Sequence, residues 1–148
     1  MTPYDHLLRD GRVRPYRSNP HEIADLFAVV ERDLADAAVT GVSTDRRFAT
    51  AYNAALQCAT IVMYCEGYRT RGEGHHGATL AFPRIALGSA AEQVIDYLDY
   101  CRNRRNRLDY HRVEHISETE AARLLAQARG FRDLVWAWVK LHRQEMLP

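Results

Sequence analysis

The chain has 148 residues, of which 47% are hydrophobic and 26% are charged, and its formal net charge at pH 7 is +1. This length and composition are typical of one globular domain that buries its own core. The small net charge excludes a global field that would attract nucleic acid or a membrane surface, so any anion site must be local. Residues 1–11 lack the apolar region of a signal peptide, and no apolar run approaches a membrane span. We therefore predict a cytoplasmic protein without a membrane segment.

The first 19 residues are predicted as an N-terminal arm, and residues 20–148 as one helical domain. Asn19, Pro20 and Glu22 form a helix-start pattern, and apolar residues follow at helical spacing as far as Gly41. A second helix is predicted over 44–66. It is apolar around most of its circumference, which is typical of a helix at the centre of a bundle.

Three further helices are predicted in the second half of the chain. A short one over 78–87 is begun or bent at Pro83. Capping boxes at 89–92 and 117–120 predict the starts of two long helices. No segment alternates with a period of two residues, so we predict no strands. The fold class is therefore all-α, an antiparallel four-to-five-helix up-down bundle.

An arginine-rich segment covers residues 102–112. At 100° per residue, Arg105 lies within about 20° of Val94 and Leu98 and so continues the apolar face of its own helix. An arginine there must be paired, or must face an interface or a cleft. The other four arginines of the segment, Arg104 among them, are predicted to be solvated. His111 follows Arg105 by six residues, about 120° around a continuous helix. The two side chains therefore meet only if the helix breaks or a second subunit supplies one of them.

Residues 105–111, Arg-Asn-Arg-Leu-Asp-Tyr-His, resemble the arginine-to-histidine signature of the HEPN superfamily, R-x(4–6)-H. Residues 52–56, 67–69 and 72–76 add to a resemblance to small stand-alone bacterial HEPN proteins over roughly residues 20–143. The resemblance implies a HEPN-like helical bundle. It also implies a metal-independent endoribonuclease that leaves a 2′,3′-cyclic phosphate, as a toxin–antitoxin or defence component.

The same resemblance implies a homodimer whose two motifs line one cleft, an RNA substrate, no cofactor, and a nucleotidyltransferase or antitoxin partner. Arg105 and His111 are the predicted catalytic residues, because arginine stabilises phosphorane charge and histidine moves protons near neutral pH. Asn106 and Tyr110 are predicted to support them, together with Arg102. The rival is a non-catalytic RNA- or partner-binding module. In a purely structural alternative, Arg105 pairs with an acid such as Asp99 or Asp109, and His111 caps its helix.

The glycine-rich loop that holds Glu73, His75 and His76 is a second candidate contributor to the cleft. One histidine would contact phosphate or act as a second acid–base group. The alternative is a helix start in which one imidazole is buried and the other exposed. Four arginines of the N-terminal arm either contact RNA backbone or are solvated, and these are Arg9, Arg12, Arg14 and Arg17.

Two metal interpretations are less favoured. Residues 111–115 match the inverted zinc-protease motif H-x-x-E-H, but they precede a helix cap and are predicted to connect two helices. A four-helix metal site would use His75 or His76 with His111 and His142. The chain lacks the pair of E-x-x-H motifs typical of such bundles, so no metal is predicted.

Overall fold

The computed structural model describes residues 1–72, 75–110 and 116–147, and for residues 107–110 it describes the backbone alone. The described part of the chain is mostly helical, with one small sheet. In chain order the elements are α1 (Asp5–Arg9), β1 (Val13–Pro15), α2 (Pro20–Ala37), α3 (Thr44–Cys65), β2 (Tyr68–Thr70), α4 (His76–Leu87), α5 (Glu92–Tyr110) and α6 (Glu118–His142). Short 3-10 turns occupy Gly88–Ala91 and Gln144–Met146. Within the described ranges, no helix combines the length and apolar character needed to cross a bilayer.

Helix α3 lies at the centre of the fold, as its apolar circumference predicts. It packs mainly against α2 and α6 and also contacts α4 and α5. Half of its residues are buried, and small side chains such as Ala51, Ala55 and Ala59 allow neighbouring helices to approach closely. The core is therefore organised around one helix. The up-down order of the helices and the HEPN-like arrangement stay predictions.

Of the three capping patterns, at 19–22, 89–92 and 117–120, two are confirmed and one is wrong. The Asn19 side chain accepts a hydrogen bond from the Glu22 amide at 2.9 Å. The Ser117 hydroxyl accepts from the Glu120 amide at 3.0 Å, and the Glu120 carboxylate accepts from the Ser117 amide at 3.2 Å. Ser89 instead lies inside the 3-10 turn that follows α4, and α5 begins at Glu92. The chain does not pass through the extended conformation that an N-cap requires there.

The prediction of no strands is also wrong. Strands β1 and β2 pair antiparallel, with Val13 opposite Thr70, Arg14 opposite Arg69, and Pro15 opposite Tyr68. Three-residue strands are too short to show an alternating pattern, and their partners are distant in sequence.

The N-terminal segment belongs to the core rather than extending as an arm. Tyr4, Leu7 and Val13 are each at most 2% exposed. The Tyr4 ring stacks on Phe82 of α4 with centroids 4.4 Å apart, and it also contacts Tyr68 of β2. The small sheet thus ties residues 1–19 to the loop between α3 and α4, beside the candidate site.

Candidate functional site

Three side chains from three different helices meet on one side of α3. We call Tyr52 of α3, His76 of α4 and Arg105 of α5 the Tyr52 cluster. The Arg105 guanidinium carbon lies 5.8 Å from the centre of the Tyr52 ring. The rings of Tyr52 and His76 have centroids 6.0 Å apart and planes inclined by 32°. The helical angle of Arg105 predicts its direction toward the core, and the structure agrees.

Tyr52 is only 1% exposed, although it carries a polar group. Its hydroxyl has no hydrogen-bond partner among the described residues. Burial raises the pKa of this phenol, and Arg102 and Arg105 act in the opposite direction. The hydroxyl is therefore protonated at neutral pH and free to donate. An unmet buried hydroxyl costs stability, so its position calls for a role other than packing.

His76 is the first residue of α4 and is partly buried. Burial lowers its pKa below the ordinary value of 6.5, and the positive charges of Arg105 and Arg102 lower it further. The imidazole is consequently neutral at pH 7 and able to accept a proton. Its neighbour His75 occupies the N-cap position of α4, but its side chain makes no capping hydrogen bond.

The other described arginines of α5 are held by acids, which corrects their predicted solvation. Arg102 donates to Asp99 with both Nε and Nη2, at 3.1 and 3.0 Å. Arg104 bonds Glu120 of α6 at 3.3 Å, and its side chain is only 15% exposed. Asp99 therefore pairs with Arg102, one helical turn away, because the i and i+3 positions are neighbours. Asn106, a partly exposed residue, follows Arg105 on α5.

A polar cleft of about 470 Å³ borders the Tyr52 cluster and shares His76 with it. This volume lies in the range of sites that hold a small ligand. Its walls come from α3, β2, the following turn and the start of α4. We call it the polar cleft, and its lining residues are Leu56, Gln57, Thr60, Met63, Tyr64, Thr70, Gly72, His75, His76 and Thr79.

Some of the predicted site residues cannot be compared with the structure, because they lie outside the part of the chain that it describes. His111 and Glu73 lie outside the described residues, as does the 111–115 zinc-motif match, and the Tyr110 side chain is likewise not described. In the described ranges, no three His, Cys, Asp or Glu side chains are grouped so that they could hold a metal ion. The structure therefore brings together Arg105, Arg102 and His76 from the predicted set, with His75 on the adjoining cleft.

Sequence reasoning did not assign a role to Tyr52. A tyrosine in a helix that is apolar on nearly every side has the pattern of a core residue. Only a contact between distant segments shows that its ring lies under Arg105. Residues 52–56 were part of the HEPN resemblance, and that was the one available signal.

No protein-family model, curated protein or solved structure matches the chain. The HEPN resemblance is therefore still a prediction from short stretches of sequence. The geometry of the Tyr52 cluster and the polar cleft supports a functional site independently of that resemblance.

Proposed function

We propose that this protein is a HEPN-type, metal-independent endoribonuclease and that the Tyr52 cluster is part of its active site. The observation that supports this most directly is a neutral histidine beside an arginine over a buried tyrosine. Histidine can transfer protons and arginine can stabilise the developing negative charge, the two tasks that RNA cleavage without a metal requires. The sequence motif and the cluster share Arg105, so both point to the same helix.

The reaction joins the ribose 2′-oxygen to phosphorus and breaks the bond between phosphorus and the 5′-oxygen. Neutral His76 takes the proton from the 2′-hydroxyl, and Arg105 stabilises the negative charge that grows on the phosphorane oxygens. The products are a 2′,3′-cyclic phosphate and a 5′-hydroxyl. The Tyr52 hydroxyl is buried and has no partner among the described residues, so it would supply a further donor for a phosphate oxygen once the substrate displaces the side chains that cover it.

The leaving 5′-oxygen needs a proton, and His111 is our candidate for this second role. Asn106 and Tyr110 would orient the phosphate and stack on a base. Six residues separate Arg105 from His111, so a homodimer in which one protomer completes the site of its partner belongs to the proposal. A toxin–antitoxin or defence role, with a nucleotidyltransferase or antitoxin partner, belongs to it as well.

Purified protein incubated with single-stranded RNA in EDTA tests the proposal. We expect cleavage by the wild type and ends that carry a 2′,3′-cyclic phosphate. Arg105→Ala should lose about 10²–10³-fold in kcat, the usual effect of removing one group that stabilises an oxyanion. His76→Ala should lose about 10²–10⁴-fold, the usual contribution of acid–base catalysis.

Arg129→Ala is the matched control, because Arg129 is an exposed arginine on α6. It should cleave like the wild type. Absence of cleavage by the wild type, or equal rates for Arg105→Ala and Arg129→Ala, would remove the nuclease claim. RNA binding without any product would instead favour the rival, a non-catalytic binding module at the same cluster.

A further inference from the structure

The small sheet carries an unusual pair of like charges. Arg14 of β1 and Arg69 of β2 are directly opposite in the antiparallel register. Val13 and Tyr68, the buried residues of the two strands, point to the core. Alternation of side chains along a strand therefore turns Arg14 and Arg69 to the outer surface.

The antiparallel pairing extends by one residue pair beyond Val13 and Thr70. The Arg71 amide donates to the Arg12 carbonyl at 3.0 Å, so these residues are also opposite. Two-residue alternation assigns their side chains to the same outer surface. We call Arg12, Arg14, Arg69 and Arg71 the arginine face. Within the described ranges, its one ion pair is an exposed contact of 3.7 Å between Arg12 and Asp10.

Like charges placed opposite each other destabilise a sheet. A cation–π contact partly offsets this repulsion at Arg69, because its guanidinium carbon lies 4.9 Å from the centre of the Tyr16 ring. Arg14 and Arg71 are exposed. Four cations on so small a surface form a local field that attracts a polyanion, although the whole chain is nearly neutral.

The arginine face leads into the polar cleft. Tyr16, under Arg69, packs against Tyr64 with ring centroids 4.9 Å apart, and Tyr64 lines the cleft. Gly72, which follows Arg71, also lines the cleft, and Thr70 lines it from the inner face of the sheet, opposite to the arginine face. On its other side the cleft reaches His76 of the Tyr52 cluster. The arginine face therefore adjoins the cleft through Tyr16 and Tyr64, and the cleft adjoins the cluster at His76.

We infer that the arginine face binds the phosphate backbone of single-stranded RNA and directs the strand through the polar cleft to the Tyr52 cluster. The choice of RNA rests on the proposed function. Single strands fit better than duplexes, because the cleft offers amide, hydroxyl and imidazole groups that can reach the edges of an unpaired base. Arginines that contact only phosphates provide affinity without sequence preference.

Binding of a short single-stranded 2′-O-methyl RNA, measured by fluorescence anisotropy at several salt concentrations, tests this. The methyl group removes the attacking hydroxyl, so binding is measured whether or not the protein is a nuclease. Arg14→Gln with Arg71→Gln should weaken binding, and the slope of log K against log salt should become shallower by about 1.4. Arg46→Gln with Arg129→Gln removes the same charge from exposed helical sites and should leave the slope unchanged.

Equal slopes for the two double variants would overturn the arginine face as an RNA site, as would no binding by the wild type. Equal affinity for a duplex of the same length would overturn its preference for single strands. Failure of the nuclease proposal has a different signature. The wild type would then bind with the expected slope but leave unmodified RNA intact. If RNA is cleaved and the Arg14 and Arg71 variants keep the wild-type KM, the arginine face alone is wrong.

Discussion

Tyr52 and Asn53 are adjacent residues of α3, one buried and the other partly buried, and their polar groups are in opposite situations. The Asn53 amide donates to the carboxylate of Asp33 on α2 at 2.7 Å. Asp33 is only 5% exposed and also accepts hydrogen bonds from Arg32 at 3.2 Å. On the other side of α3, the Tyr52 hydroxyl is buried without a partner among the described residues.

This difference distinguishes polar side chains that stabilise the fold from a polar side chain that we assign to function. A buried polar pair with its hydrogen bonds made fixes how α2 packs on α3, at little net cost. A buried hydroxyl without a partner destabilises the fold, and selection for stability would favour phenylalanine in its place. The ring that carries this hydroxyl contacts the cation of Arg105 and the neutral imidazole of His76, the two groups to which we assign the chemistry. Variants at both kinds of polar group test this division.

The largest effect on stability is expected at the structural pair. Asn53→Leu keeps the size of the side chain but leaves the Asp33 carboxylate buried without its shortest hydrogen bond. We expect the free energy of unfolding to fall by about 2–3 kcal/mol, as measured by urea denaturation. Cleavage of RNA per folded molecule should not change.

A double variant sharpens this prediction. When Asp33→Leu is added to Asn53→Leu, the buried carboxylate that had lost its partner is removed as well, so part of the lost stability should return. If the double variant loses the sum of the two single losses, the pair is not coupled and its structural role is wrong.

At Tyr52 the expected changes in stability and activity have opposite signs. Tyr52→Phe removes a buried hydroxyl without a described partner, so the free energy of unfolding should rise by up to about 1 kcal/mol. RNA cleavage should fall by about 3–10-fold, the cost of one neutral hydrogen bond in the transition state. Thermal denaturation and kcat measured on the same preparation provide both values. A loss of stability together with unchanged cleavage would make Tyr52 an ordinary core residue.

Local signals in the sequence predict much of this fold. The caps at Asn19 and Ser117 and the central position of α3 follow from side chains close in sequence to the structure that they specify. The sheet does not, because its strands have three residues each and are separated by the whole of α2 and α3. The box at Ser89 failed for a related reason, since the turn after α4 determines the local backbone.

In the candidate site, too, some features follow from local sequence and others depend on how the helices pack. The helical angle of Arg105 predicts that it faces the core, and this comes from α5 alone. Arg104 contacts Glu120 and Arg105 contacts Tyr52, and because both of these residues lie on other helices, no local pattern predicts either contact. The proximity of His76 to Tyr52 likewise depends on how α4 packs against α3.

The smallest expected effect is a pH dependence that His76 introduces at the functional side of α3. Its pKa in the folded state is below 6.5, mainly because of burial and then because of Arg105 and Arg102. As the pH falls through 6.5, the unfolded chain binds a proton at this position before the folded chain does. Stability therefore decreases toward acid, and His76→Gln should reduce that decrease between the two pKa values. Urea denaturation at a series of pH values from neutral to acid measures it.

The same titration controls the proposed chemistry, because only the neutral imidazole accepts the proton of the 2′-hydroxyl. The acid limb of kcat/KM should therefore have its midpoint below 6.5. Arg102→Gln removes one of the two cations that lower the pKa of His76 and should move this midpoint upward. The exposed variant Arg129→Gln, with the same change in charge, should leave the midpoint unchanged. An acid limb that does not respond to Arg102→Gln would mean that another group is the base, and His76 would then have a structural role, like Asn53 and Asp33.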